Sequence, residues 1–358
     1  MPANTLRSTL QRSGIRRRGS PEGGFRYRRA SGAPIRDEDR ERIERLAIPP
    51  AWRNVVIARS AGAKVQAIGL DAAGRWQYLY RASHTARRSR AKFVRLVKFG
   101  AALPELRRAL HRDMRRPGLP REKVIAGALL FLTASAMRPG GEVYARDNRT
   151  FGLSTLRNHH AEVTGDAILL RFRGKHGLAQ RHELRSKKLA RLLRAMRRLP
   201  GRELFSFRDA LGEVRDLRRA HLNDYVKEAM GGRFSARDFR TWMGTLLCAA
   251  ALKAERGVHT DGPKRAVGRA VRATAKSLGN TPAVAREAYI HPAVIEAFLE
   301  GRVVSSALAS PETLIVRRSS GLDRSERALL SLLGNPKRNG RIASRAAGQR
   351  RTPAPDSV

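Results

Sequence analysis

The stretch Ser277-Leu278-Gly279-Asn280-Thr281-Pro282-Ala283-Val284-Ala285-Arg286-Glu287-Ala288-Tyr289-Ile290-His291-Pro292 decides how the rest of the chain is read. Thr281 followed by Pro282 is a good N-cap and first-turn pair. It starts a helix that carries Tyr289 two turns later, with Asn280 beside the entrance. A phenol is a poor nucleophile at its usual pKa of about 10. Clustered cations favour the phenolate and can neutralise charge on a phosphorane-like transition state, so a tyrosine held among them suggests attack on a phosphodiester.

Three cationic side chains far upstream suit that role. Arg138 ends an apolar run in Met137-Arg138-Pro139-Gly140-Gly141-Glu142, where burying the approach to a guanidinium is costly unless an anion meets it. Lys175 sits at a hairpin tip, Phe172-Arg173-Gly174-Lys175-His176-Gly177, from which an ammonium can swing towards a phosphate. Arg237-Asp238-Phe239-Arg240-Thr241-Trp242 puts Arg237 and Arg240 three apart on one helical face, an unfavourable pair without a shared anion. No member is specific alone, since a helix-end arginine, a turn lysine and a late-helix tyrosine all have ordinary structural uses. The Gly174-Lys175 pair is not a P-loop, because the earlier glycine and the following Ser or Thr are missing.

Composition narrows the partner. Lys plus Arg number 73 against 31 Asp plus Glu, a formal net charge of +42 that is mostly arginine and runs the whole length of the chain. Guanidinium groups match phosphate oxygens bidentately, so this is the footprint of a polyanion binder. A basic membrane-surface or ribosome-associated protein is the bland alternative. With 41% hydrophobic residues over 358 positions, the chain can fold a core and two domains. The longest apolar run, Val124 to Met137, is too short to span a bilayer and reads as a buried helix. The N-terminus has arginines but no apolar stretch resembling a signal peptide. The single Cys248 excludes an internal disulfide or a cysteine metal site and reads as a small core residue, so a reducing, cytoplasmic and nucleoid-associated location is expected.

The pattern predicts an α+β protein. Residues 1–33 read as a disordered basic arm, 34–88 as a small β-rich domain, 89–303 as a larger, mainly helical domain, and 304–358 as a basic, mostly disordered tail with a possible helix from Ser325 to Leu333. Strands are expected around 55–58, 64–69 and 76–80, the last after the turn Asp71-Ala72-Ala73-Gly74. Ala161–Arg173 and Ala179–Leu184 resemble two strands around Lys175. Helices are expected around 89–113, 121–137, 186–198, 208–230, 237–255, 262–278 and 282–300.

Order and context make the set specific, and here the chain resembles type IB DNA topoisomerases of the small poxvirus-like and bacterial kind. The resemblance covers roughly residues 35–300. It is carried by Gly69 to Tyr80, by Arg138 to Glu142 continuing through Tyr144 to Asn148 and Phe151 to Leu156, by the turn at Lys175, by Phe239-Arg240-Thr241, and by Asn280 to Tyr289. It implies that Tyr289 attacks the scissile phosphate and forms a 3′-phosphotyrosyl link, while Arg138 and Arg240 contact the non-bridging oxygens. Lys175, helped by Arg138, would protonate the departing 5′-oxygen. Asn280 stands where many relatives have histidine; its amide can still donate to a phosphate oxygen, without charge or titration near neutrality. Gln77, Tyr78 and Tyr80, with Arg75 beside them, match the family's strand that lies on DNA. Gly141 replaces a common asparagine, and Arg237 fills a position that is often lysine. A monomeric C-shaped clamp on double-stranded DNA is implied.

Exchanging one phosphodiester for another of similar energy needs no ATP, and cationic side chains can serve where other enzymes use a metal. No nucleotide cofactor, other cofactor or metal is therefore expected: His159-His160 and His176 lack companions at ligand spacing and read as surface or DNA-facing residues, and His291 as a helix-end residue. Two other readings stand beside this one. A tyrosine recombinase or integrase shares the catalytic set, although it usually carries histidine where this chain has Arg237 and has a helical rather than strand-rich N-terminal domain. A non-catalytic basic DNA-binding protein would explain the charge alone.

Overall fold

The computed structural model describes residues 3–334, apart from 73, 233, 259, 260, 312 and 317–319. The chain divides into two units, Met1–Lys92 and Phe93–Val358. The first is built on a five-stranded antiparallel sheet, and the second is mainly helical with two small sheets, which makes the protein α+β.

The sheet of the first unit reaches further back than the sequence suggests. A helix, α1 (Ala3–Ser13), precedes β1 (Ile15–Ser20) and β2 (Gly24–Arg28); then come α2 (Asp37–Arg45), β3 (Arg53–Ile57), β4 (Val65–Leu70) and β5 (Trp76–Tyr80), in the spatial order β2-β1-β3-β4-β5. Residues 3–28 are thus not a disordered arm. Arginine-rich composition hides an ordered hairpin, because its order comes from backbone pairing and from one guanidinium used as a tie. Arg17 donates to the carbonyl oxygens of Trp52 at 2.6 Å, Pro49 at 3.2 Å and Pro50 at 3.3 Å, and lies 4.1 Å from the Phe25 ring centroid. Side chains alternate across the sheet. Ile15, Val55, Ile57 and Ala67 meet Ile43 of α2 on one face, and Leu10 of α1 packs with Val56, Val65 and Ile68 on the other.

The division between units falls within α3 (Ala82–Asp113). In the second unit α4 (Arg121–Ser135) is the central helix, buried from Val124 through Leu132, as its unbroken apolar run demands. After α5 (Glu142–Asn148), the segment read as one strand from Ala161 to Arg173 is two, β6 (Ala161–Thr164) and β7 (Ala167–Arg173), because Gly165 turns the chain at φ +59°. With β8 (Ala179–Arg185) they form a three-stranded sheet, and the Lys175 turn joins β7 to β8. Beyond α6 (Lys187–Met196), the stretch expected to be helical from 208 instead opens with a second hairpin, β9 (Ser206–Arg208) and β10 (Val214–Asp216). Asp209 Oδ1 accepts from the amides of Leu211 and Glu213 and closes that turn, a local bond that outcompetes helix.

Helices α7 (Arg219–Met230), α8 (Ala236–Glu255) and α9 (Pro263–Leu278) complete the core around α4. The expected helix 282–300 is broken into α10 (Pro282–Tyr289) and α11 (Pro292–Leu299), since Pro292 pushes the preceding residue out of helical geometry. The region past 304 is integrated rather than loose over its described part. Following α12 (Thr313–Val316), α13 (Arg324–Leu333) buries Glu326, whose carboxylate receives both Arg107 Nη atoms, at 2.7 and 2.8 Å, and the Trp242 indole N–H at 3.3 Å. The expected disorder of residues 335–358 lies outside the described residues. No helix is long and apolar enough to cross a membrane among those described.

Candidate active site

Four local devices bring the predicted residues together. Helix α4 ends at Ala136, whose φ of +50° turns the chain out of the helix and towards Arg138. Beyond Arg138, Gly140 (φ +98°) lies against Gly152 so closely that a Cβ on Gly152 would sit 2.6 Å from the Gly140 Cα and 2.8 Å from the Arg138 carbonyl oxygen. Leu153 N–H donates to that same carbonyl at 2.9 Å, and Ser154 N–H to Pro139 O at 2.8 Å, so the Arg138 backbone is clamped. Helix α9 stops at Gly279 in the left-handed conformation, and Thr281 Oγ1 accepts from Val284 N–H at 3.4 Å to begin α10.

Tyr289 lies at the end of α10, only 8% exposed, with the Arg240 guanidinium 5.0 Å from its ring centroid. Arg240, itself 3% exposed, donates through Nη1 to Ala136 O and through Nη2 to Leu278 O. One guanidinium thus ties the ends of α4 and α9 together beneath the tyrosine. Arg138 Nη2 donates to Asn280 Oδ1 at 2.5 Å. That bond fixes the amide: the oxygen is engaged, and Nδ2 is left buried without a partner, as is Arg240 Nε. Two unmatched buried donors, one on the guanidinium packed against the Tyr289 ring and one on the amide held by Arg138, suit an anionic oxygen.

Burial alone would raise the Tyr289 pKa. The charges of Arg240, Arg237 and Arg138 outweigh it and hold the phenol below its ordinary value. Burial, and then Arg138, pull Arg240 down to about 10, which leaves it charged at neutrality. Arg237 is exposed at the start of α8. Lys175 is exposed on the β7–β8 turn, and among the described residues no hydrogen bond joins its ammonium to Tyr289, Arg138 or Arg240.

Several contributors carry no chemical signal in the sequence. Gly244, one turn after Arg240, gives α10 room: a Cβ there would lie 2.8 Å from Tyr289 O and 3.1 Å from Tyr289 Cβ. Thr245 Oγ1 is 3.2 Å from Tyr289 O and accepts from His291 N–H at 3.2 Å. The Arg240-Gly244 spacing of four was the available clue, because it places both on one helical face. On β8, His182 stacks on Phe172 at 5.9 Å; burial, and then Arg240, hold it down to about 4 and therefore neutral. Strand alternation places it on one face with Gln180. The histidines expected at the surface divide: His159 is exposed, whereas His160 is buried with Nδ1 accepting from Arg157 N–H at 3.0 Å. His291 caps α11, its Nδ1 accepting from Ala293 N–H.

In the N-terminal unit, Asp71 Oδ2 accepts from Gln77 Nε2 at 2.8 Å and from Arg75 Nε at 3.1 Å, presenting the two side chains as a pair. Tyr78 and Tyr80 share a face, as alternation predicts, but that face is half-buried against Val65 and Ile68. Tyr80 also stacks on His84 at 5.5 Å.

Known proteins match this sequence over most of its length. Residues 81–302 match the catalytic core of eukaryotic DNA topoisomerase I, and residues 24–71 match the N-terminal domain of bacterial DNA topoisomerase IB. A DNA topoisomerase 1B of Acanthamoeba polyphaga mimivirus is 33% identical over 293 residues, which cover 80% of this chain and 87% of the relative. The DNA topoisomerase 1B of vaccinia virus (strain Western Reserve) is 24% identical over 276 residues, 74% of this chain and 83% of the relative. With a cation-flanked tyrosine in the core match and a strand-rich unit in the bacterial one, the chain belongs to the type IB DNA topoisomerase family.

Proposed function

We propose that the protein relaxes supercoiled duplex DNA by cutting and resealing one strand through Tyr289. The phenol loses its proton to solvent and its oxygen bonds to the scissile phosphorus. The P–O5′ bond breaks, and Lys175 gives the 5′-oxygen a proton. This leaves a 3′-phosphotyrosyl link, and religation reverses each step. Arg138 and Arg240 neutralise the non-bridging oxygens, and the free N–H groups at Asn280 Nδ2 and Arg240 Nε receive one of them. Because the phosphoester energy is retained in the covalent link, the cycle runs without ATP, and the arginines supply the charge that a metal would otherwise bring. Arg75, Gln77 and the exposed edges of Tyr78 and Tyr80 contact the duplex from the N-terminal unit, with Arg237 adding charge near the phosphate. The protein acts as a monomer.

The observation that supports this most directly is the buried Tyr289 side chain with the likewise buried Arg240 guanidinium 5.0 Å from its ring, an arrangement in which three arginines hold the phenol below its ordinary pKa. Relaxation of a plasmid lacking any special site, in EDTA and without ATP, tests it. Tyr289→Phe should bind DNA yet neither relax it nor leave a covalent adduct after denaturation. Failure of the parent to relax plasmid, or relaxation by Tyr289→Phe, would refute the reading.

A further inference from the structure

We propose that Gln180 is a positioning residue for the reaction, wedged between the turn that carries Lys175 and the segment that carries Asn280. The inference rests on the reading of Lys175 as general acid. Gln180 pairs in register with Phe172, so its side chain leaves β8 on the same face as Phe172 and His182. There it fills the space that two glycines leave open. A Cβ on Gly174, at the root of the Lys175 turn, would lie 2.7 Å from Gln180 Cγ and 3.2 Å from Cδ. A Cβ on Gly279, next to Asn280, would lie 3.0 Å from Gln180 Oε1 and 3.2 Å from Nε2. One side chain therefore touches both backbones.

The turn itself is short and closed by its own backbone. Gly174 N–H donates to Leu178 O at 2.8 Å and Gly177 N–H to Gly174 O at 3.0 Å, which makes the turn one closed unit rooted at Gly174. The Lys175 side chain is exposed, and its reach is set by where that unit sits. Seating Gly174 against Gln180, and Gln180 against Gly279, gives the ammonium a fixed origin relative to Asn280 and, through the Asn280–Arg138 bond, to the phosphate-binding cations. A general acid must come within hydrogen-bond reach of its oxygen, about 2.6–3.2 Å. Losing the wedge loosens that origin without touching a reacting atom.

The test compares single-turnover cleavage of two duplexes, one with an ordinary scissile phosphodiester and one with sulfur as the 5′-leaving atom, which leaves readily without a proton. Gln180→Ala should slow the ordinary substrate by about 10- to 100-fold, the range expected for a misplacement near 1 Å, while the sulfur substrate is cut at close to the parent's rate. Added to Lys175→Ala, it should cost nothing further, because it acts through that lysine. Gln180→Met, which keeps the volume of the wedge, should restore most of the ordinary rate and serves as the folded comparison if Gln180→Ala melts early. Equal slowing of both substrates by Gln180→Ala, additivity with Lys175→Ala, or an unrestored Gln180→Met would overturn the inference. If Lys175→Ala is itself not rescued by sulfur, the general-acid reading falls first and takes this one with it. A rescued Lys175→Ala beside an unrescued Gln180→Ala removes Gln180 alone.

Discussion

Gly244→Ala adds one methyl group where α8 passes beneath the nucleophile, and the structure sets its cost. The new Cβ would lie 2.8 Å from Tyr289 O, and reaching an ordinary contact of 3.4 Å needs a shift of about 0.6 Å (3.4 minus 2.8). Two of the atoms it would meet cannot yield cheaply: one is backbone and another is the tyrosine's own Cβ, at 3.1 Å. Stability should fall by about 0–2 kcal/mol, because overpacking by about 1–3 kcal/mol is only partly offset by the roughly 1 kcal/mol that alanine gains over glycine inside a helix. Catalysis should suffer more, since displacing a reacting group by a large fraction of 1 Å costs on the order of tenfold or more. Gly268→Ala in α9 is the control: its Cβ would meet only the flexible end of Arg272 at 3.4 Å, so it should gain stability and keep full activity. The assay is the rate of covalent adduct formation on a short duplex, with DNA binding and thermal melting measured alongside. A folded Gly244→Ala that binds DNA and forms the adduct at the parent's rate would refute the argument.

Asn280→His should remain active, because an imidazole keeps an N–H for the phosphate oxygen in either protonation state; an inactive variant would show a pocket shaped strictly around the amide. Burial pulls His160 down to about 4, and its Nδ1 is an acceptor, so the fold favours the neutral ring. Its contribution to stability is complete above about 6.5 and is lost as pH falls towards 4. His160→Gln should melt with a shallower pH dependence across that window than the parent, and identical slopes would exclude this role. Glu326→Ala strands Arg107 as an unpaired buried charge and should destabilise by about 3–5 kcal/mol in a denaturant titration. A loss under about 1 kcal/mol would mean that the pair is solvated.

Residues whose chemistry and neighbours in sequence both point one way were legible without a structure. Tyr289 behind Thr281-Pro282, Arg138 at the end of an apolar run, and Arg240 beside Arg237 all reach one site. Lys175 was legible as a turn residue, but its distance from the others depends on long-range packing. The features hidden from the sequence share a cause. The β1–β2 hairpin was lost in arginine-rich composition because its stabilising bonds, from Arg17 to carbonyls more than thirty residues away, leave no local pattern. The turns at Gly165 and Asp209 and the break before Pro292 are single-residue events inside windows that average them away. Gly244 and Gln180 matter through what they touch, and contact is not written in residue type.

The glycine pair Gly140 and Gly152 extends that last point to inheritance. A Cβ on Gly152 would strike the Gly140 backbone at 2.6 Å, in the bend that aims Arg138. In a survey of tolerated substitutions, Gly152 would behave as strictly as Arg138 itself, although it brings no functional group to the reaction. The site, measured by what it forbids rather than by what it contains, is therefore wider than its chemistry.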